Sequence, residues 1–153
     1  MRTRRAARKL ALDVLYEAEI RDELPVEAFE ARRSGGWVIP APEDDAGAAL
    51  IEEAPPPEAV SFALELLEGV QKHQAEIDAL IVGYSDHWTI ERMPVIDRNL
   101  LRMGLYELLW AEGIPVAVAI NEAVELAKAL STDDSGRFIN GLLGRVVERE
   151  GLE

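Results

Sequence analysis

The sequence predicts an all-α protein, a compact bundle of six to seven helices. Three observations carry that expectation. Apolar residues recur at spacings of three and four along most of the chain. No stretch alternates apolar and polar residues as a half-buried strand would. Prolines and clusters of small polar residues stand where helices would begin.

Residues 4–21 form the first expected helix. Ala7, Ala11, Val14 and Ala18 make its buried stripe, with Leu10 and Leu15 beside them. At about 100° per residue, Arg5, Lys9, Leu12 and Tyr16 fall on the opposite side. Pro25 opens a second, short helix that ends near Arg33, before Ser34-Gly35-Gly36. From Gly35 to Pro57 there are five prolines and three glycines, too many for a long regular element. This stretch reads as a mobile loop at about 35–57, with a transient turn around Ala46–Glu53 and an apolar Trp37-Val38-Ile39 able to dock.

Helical spacing returns over 58–82, with Val60, Ala63, Leu64, Leu67, Val70, Ile77, Leu80 and Ile81 apolar and a break expected near His73-Gln74. Tyr84 to Thr89 connects it to a helix over 94–112, closed by Gly113-Ile114-Pro115. Residues 116–130 give another, built on Ile120, Ala123, Val124, Ala127 and Leu130. Ser131-Thr132-Asp133-Asp134-Ser135 supplies capping oxygens for a last helix over 135–149, with one of the two aspartates as the expected cap.

The 153 residues suit a single domain. No apolar run nears the ~18 residues of a membrane span, and the basic start runs into an amphipathic pattern rather than a signal-peptide core. The chain therefore reads as cytoplasmic, with no membrane association. It has no cysteine, which excludes disulfides and thiolate metal sites. His73 and His87 stand alone, and there is no P-loop, dinucleotide fingerprint or nucleophile elbow. Neither a catalytic site nor a metal or cofactor site is expected.

A net charge of −13 argues against a polyanion partner until its distribution is considered. Residues 1–9 hold Arg2, Arg4, Arg5, Arg8 and Lys9 and no acid, leaving 11 of the 16 basic residues against all 29 acids. A basic arm on an acidic body points to a polyanion contact at that end, although a solvated tail has the same composition. Arginines can bind phosphate in pairs of parallel hydrogen bonds, and Tyr16 could stack on an unpaired base. Most helical tyrosines pack, so spacing alone favours a packed Tyr16. Near the last helix, Arg137 and Phe138 follow a helix start whose free N–H groups suit phosphate, while Asp133 and Asp134 repel it. Phe138 in the core is the plainer reading. Gly141 and Gly144 match the glycine spacing of an RNA-clamping loop, but their helical setting suggests close helix–helix approach instead.

Arg4 to Glu17, with its Arg-Arg-x-x-Arg-Lys run and Leu15-Tyr16-Glu17, resembles the opening helix of the NusB family. So do Pro94 to Leu108, Ile114-Pro115 with Ala119 to Lys128, and Asp134-Ser135 with Phe138 to Leu143. The resemblance covers nearly all of 1–34 and 58–149 and has an actinobacterial look. It implies two helical subdomains and a transcription antitermination adaptor, not an enzyme. The implied partners are boxA-type single-stranded RNA, NusE (a ribosomal small-subunit protein) and the RNA polymerase antitermination complex, acting in ribosomal RNA operons. The implied RNA contacts are Arg4, Arg5, Arg8, Lys9, Tyr16, Tyr84, Arg102, Asp134, Arg137 and Phe138. The implied NusE surface lies on the helix bearing Asp97 and Arg98. Relatives include monomers and homodimers, so a homodimer stays open. Two other readings remain: a NusB-like partner of an enzyme that modifies ribosomal RNA, and an acidic helical scaffold without RNA.

Overall fold

A computed structural model describes residues 2–39, 50–51, 55–86 and 88–152. Six helices account for most of these: α1 (Arg2–Arg21), α2 (Pro25–Ser34), α3 (Pro57–Tyr84), α4 (Val95–Leu109), α5 (Val116–Leu130) and α6 (Ser135–Glu150). A short 3₁₀ turn, Ile90–Arg92, precedes α4. Helices α1–α3 pack as one group and α4–α6 as another. Contacts of α4 with α1 and α3 join them over one continuous apolar core.

The core stripe of α1 is as spaced: Ala7, Ala11, Val14 and Ala18 are all buried. Leu12 is buried as well, so the expected outer face of α1 loses its aliphatic member. Asp22, in a left-handed conformation at φ 55°, turns the chain into α2. Pro25 begins α2, and the Val26 N–H donates to the Gln71 side chain at 3.0 Å, tying that start to α3.

Helix α3 runs unbroken for 28 residues, about 42 Å at 1.5 Å per residue. At His73-Gln74 the apolar stripe is interrupted, with no buried residue between Val70 and Ile77, but the helix itself continues. His73 instead stacks on Trp110 with ring centroids 4.1 Å apart and planes within 9°. An imidazole facing an indole fills the periodicity gap that suggested a break. Helix α4 ends at Leu109, three residues short of expectation, with Trp110 of the stack at its C-terminal boundary. On α5 the small residues Ala119, Ala123 and Ala127 lie deepest, and Leu130 is exposed rather than packed.

Val38–Ile39 and Leu50–Ile51 form a two-residue antiparallel ladder, where the sequence suggested no strand. Trp37 docks edge-on against Phe29, as its apolar character suggested. The rest of the 35–57 loop reading, including most of the turn at Ala46–Glu53, falls on residues outside those described, as does His87.

Gly69 on α3 is where that helix meets α4. A Cβ there would lie 2.0 Å from the Tyr106 ring. Gly69→Ala gains helix propensity but forces the ring to move, and overpacking of this kind costs about 1–3 kcal/mol. The variant should unfold at lower urea concentration than the parent, whereas equal or higher stability would mean that the ring shifts freely.

Candidate nucleic-acid interface

The basic run at the start of α1 divides by helical angle into inward and outward arginines. Arg8 points in. It is only 2% exposed, and its guanidinium grips Glu107 of α4 with N–O distances of 2.6–3.1 Å. Burial pushes the Glu107 carboxyl above its ordinary range, and the hydrogen bond from Arg8 brings it part of the way back. Arg4 lies 4.9 Å above the Phe62 ring of α3, and Arg8 lies 5.5 Å from the same ring. Arg5 points out: 69% of its side chain is exposed while it pairs with Glu122 of α5 at 3.1 Å. Lys9, also outside, pairs with Asp13 one turn on. Tyr16 is 44% exposed, so the packed reading of this ring does not hold.

Arg102 is inside the bundle rather than on a binding face. It bonds Asp78 of α3 at 2.9 and 3.1 Å, Glu19 of α1 at 2.9 Å, and Asn99 on its own helix. Burial works against its charge, but the bonds to Asp78 and Glu19 outweigh that and raise its pKa. Burial would likewise raise Glu19, yet the hydrogen bonds from Arg98 and Arg102 hold it below the usual carboxylate range. Arg98 also donates to the carbonyls of Ile90 and Met93. Asp97 is 4% exposed and accepts hydrogen bonds from Ser131 at 2.5 Å and Ser135 at 2.7 Å. Arg8, Arg102, Asp97 and Arg98 were expected at surfaces. The structure commits all four to internal bonds, because α4 is enclosed by its neighbours and its charged side chains must be paired.

The second cluster gathers around the start of α6. Neither Asp133 nor Asp134 caps this helix through its side chain. Asp134 stands at the cap position without such a bond and is exposed. The loop is instead tied by Asp97 and by the Thr132 N–H donating to the Ser135 hydroxyl at 3.2 Å. Arg137 projects outward, with no ion pair among the described residues. Phe138 is half-buried, neither wholly in the core nor free. Its ring lies 5.9 Å from that of Trp88, which is 53% exposed. Ser85, Asp86, Trp88, Arg137, Phe138, Gly141 and Arg145 line a shallow open depression here. Tyr84 is half-buried beside it, and its carbonyl accepts from Arg145 at 2.7 Å. Arg4 and the second cluster sit toward opposite ends of α3. Phe62 and Tyr84 are 22 residues apart in one helix, about 33 Å.

Sequence reasoning missed Phe62, Trp88, Arg145 and the carboxylates Glu107 and Glu122. Arg145 was findable, since it lies eight residues after Arg137 on the same helical face. Phe62 and the carboxylates were not, because their partners are distant in sequence. The expectation that Gly141 and Gly144 allow close helix approach fails: a Cβ at either would meet nothing within 4 Å. Among the described residues there is no group of three or more His, Asp or Glu able to hold a metal. No helix there is long and apolar enough to cross a membrane.

The sequence profile of the NusB family matches residues 5–148. The chain belongs to the NusB family. It is 48% identical over 148 residues to the transcription antitermination protein NusB of Salinispora arenicola, covering 97% of each chain. The Streptomyces griseus protein of the same name is 46% identical over 145 residues, covering 95% of this chain and 92% of its own. Among solved structures, Thermotoga maritima NusB (T. maritima) superposes with a TM-score of 0.76 at 32% identity, covering 95% of this chain and 90% of that one. A structure of antitermination factors NusB and NusE in complex with dsRNA gives 0.74 at 27% identity, covering 97% and 98%. The all-α architecture is thus the NusB fold. The relatives are antitermination factors, not enzymes.

Removing one member of the buried Arg8–Glu107 pair strands the other. Arg8→Met should cost about 3–5 kcal/mol in urea unfolding at neutral pH, while Arg8→Met with Glu107→Leu should recover most of that. In the single variant the stranded carboxyl has a raised folded pKa. Its penalty is therefore full above that pKa and shrinks as pH falls through it. A loss that does not change with pH, or that persists in the double variant, would show that the pair does not set this stability.

Proposed function

We infer that the chain is an RNA-binding transcription antitermination factor that acts with NusE in the RNA polymerase antitermination complex. Its RNA is a boxA-type single strand, and its effect is read-through in ribosomal RNA operons. The observation that carries this is the exposed cationic and aromatic face of α1 on a NusB fold, given that the chain's relatives are antitermination proteins. A NusB of the same fold has been solved with NusE and dsRNA. The place of action is the cytoplasm, and the whole chain acts as one RNA-binding domain.

The proposed RNA contacts are Arg4, Arg5, Lys9 and Tyr16 on α1, with Tyr84, Asp134, Arg137 and Phe138 at the second cluster. The Lys9–Asp13 pair lies at the surface and is worth little in water, so phosphate can displace that carboxylate, whereas Arg5 holds the buried Glu122 through Nε and offers phosphate its outer N–H groups. Tyr16 offers an exposed ring for stacking. Arg8 and Arg102 serve from inside, fixing α1 against α4 and α3. With Asp97 and Arg98 turned inward, the NusE surface on this part of the chain narrows to exposed residues just before α4: Glu91, Arg92 and Pro94.

Fluorescence anisotropy of a labelled boxA-type strand at near-physiological salt, with NusE titrated in, tests this. Binding should tighten with NusE and weaken with salt. Arg4→Gln with Arg5→Gln should weaken it at least about tenfold, as expected for lost charge-assisted hydrogen bonds. This pair is preferable to any change at Arg8, which would also disturb the fold. No binding with or without NusE would overturn the assignment.

A further inference from the structure

Gly141 lies in the middle of α6, with open space where a Cβ would be. A glycine there weakens the helix relative to alanine. At Gly69 and Gly104 neighbouring side chains need the space, but at Gly141 none does. The residues sharing its face are informative. Arg137, Gly141, Arg145 and Arg149 recur every fourth residue, and all four are exposed. They form one strip of three cations around a bare stretch of backbone.

The strip connects two open depressions. One holds Trp88, Phe138 and Arg137. The other lies between the ends of α3 and α6, against Gly83, Tyr84 and Arg149. Arg145 and Asp86 line both. The Arg145–Asp86 pair is 3.3 Å long and Asp86 is largely in solvent, so that pair is weak, while a hydrogen bond from Arg145 to the Tyr84 carbonyl at 2.7 Å keeps the guanidinium beside the track. Trp88 presents more than half of its surface beside the strip. Exposed aromatic rings beside arginines suit stacked bases and phosphates. Asp86 and Glu148 border the same track and would repel a backbone that strayed from it.

We propose that single-stranded RNA engaged at Arg137 and Phe138 continues along α6, its sugar–phosphate backbone crossing Gly141 toward Arg145 and Arg149 while a base rests on Trp88. This rests on the RNA-binding reading of the chain. The missing Cβ lets the strand approach the helix backbone, and Arg145 exchanges Asp86 for a phosphate.

The test uses the full chain with NusE and a labelled boxA-type strand. Gly141→Leu should melt at or above the parent temperature, since the helix gains propensity in open space, yet bind RNA about tenfold more weakly. Arg145→Gln should reduce the slope of log K against log salt by about 0.7, the loss of one phosphate contact on a single strand. Trp88→Ala should weaken binding about tenfold, as for a lost stacking partner. Parental affinity and slope in Gly141→Leu and Arg145→Gln, with Arg137→Gln still weakened, would overturn the track and leave the RNA-binding reading standing. If the parent itself binds no RNA, that reading falls and the track with it. Should Gly141→Leu fold poorly, Arg145→Gln and Trp88→Ala still decide.

Discussion

Helix α4 is enclosed on almost every side, yet it carries Asp97, Arg98, Arg102 and Glu107. Charges withdrawn from water must find partners, and each of these finds one outside α4. Asp97 ties down the loop before α6. Arg98 and Arg102 share Glu19 on α1, and Arg102 adds Asp78 on α3. Glu107 takes Arg8, near the other end of α1. Two anchor points eleven residues apart in α1 leave that helix no freedom to slide or rotate against α4. The outward direction of Arg5, Lys9 and Tyr16 follows from those anchors.

This arrangement also limits how many of the chain's arginines can contribute to a basic face. Several arginines that count toward its formal charge never reach solvent. Arg8 and Arg102 are consumed inside, and Arg32 and Arg98 are largely covered in pairs with Glu17 and Glu19. The exposed cations are thus fewer than the composition suggests, and the surrounding acids discourage a nucleic acid from settling elsewhere. With screening over about 8 Å at physiological ionic strength, this contrast works locally, patch by patch, and not through net charge.

Most of the fold was legible in the sequence. The Ala7–Ala18 stripe is buried as spaced, α2 begins at Pro25, and α5 spans 116–130 as expected. The site was legible only in part. Local periodicity says which way a side chain points, but it does not say whether a distant carboxylate waits there. Arg5 and Arg8 look alike in sequence, and Glu107, 99 residues away, decides that they differ. His73 read as an interruption of the α3 stripe because its aromatic partner, Trp110, lies just beyond the end of α4, distant in sequence. Gly141 and Gly144 read as packing positions because a glycine in a helix looks the same whether a neighbour or open space fills its missing side chain.

The unbroken length of α3 has a consequence for any ligand that reaches both clusters. From Phe62, where Arg4 lies, to Tyr84 the helix is a stiff spacer of about 33 Å, so a ligand that reaches both ends is bivalent. Once one end is bound, attachment of the other is intramolecular, at an effective concentration set by the reach of the strand between them. A strand too short to span gains nothing from the second cluster. One of matching length gains avidity without any new contact. In this way α3 sets the length scale on which a strand would gain from both ends.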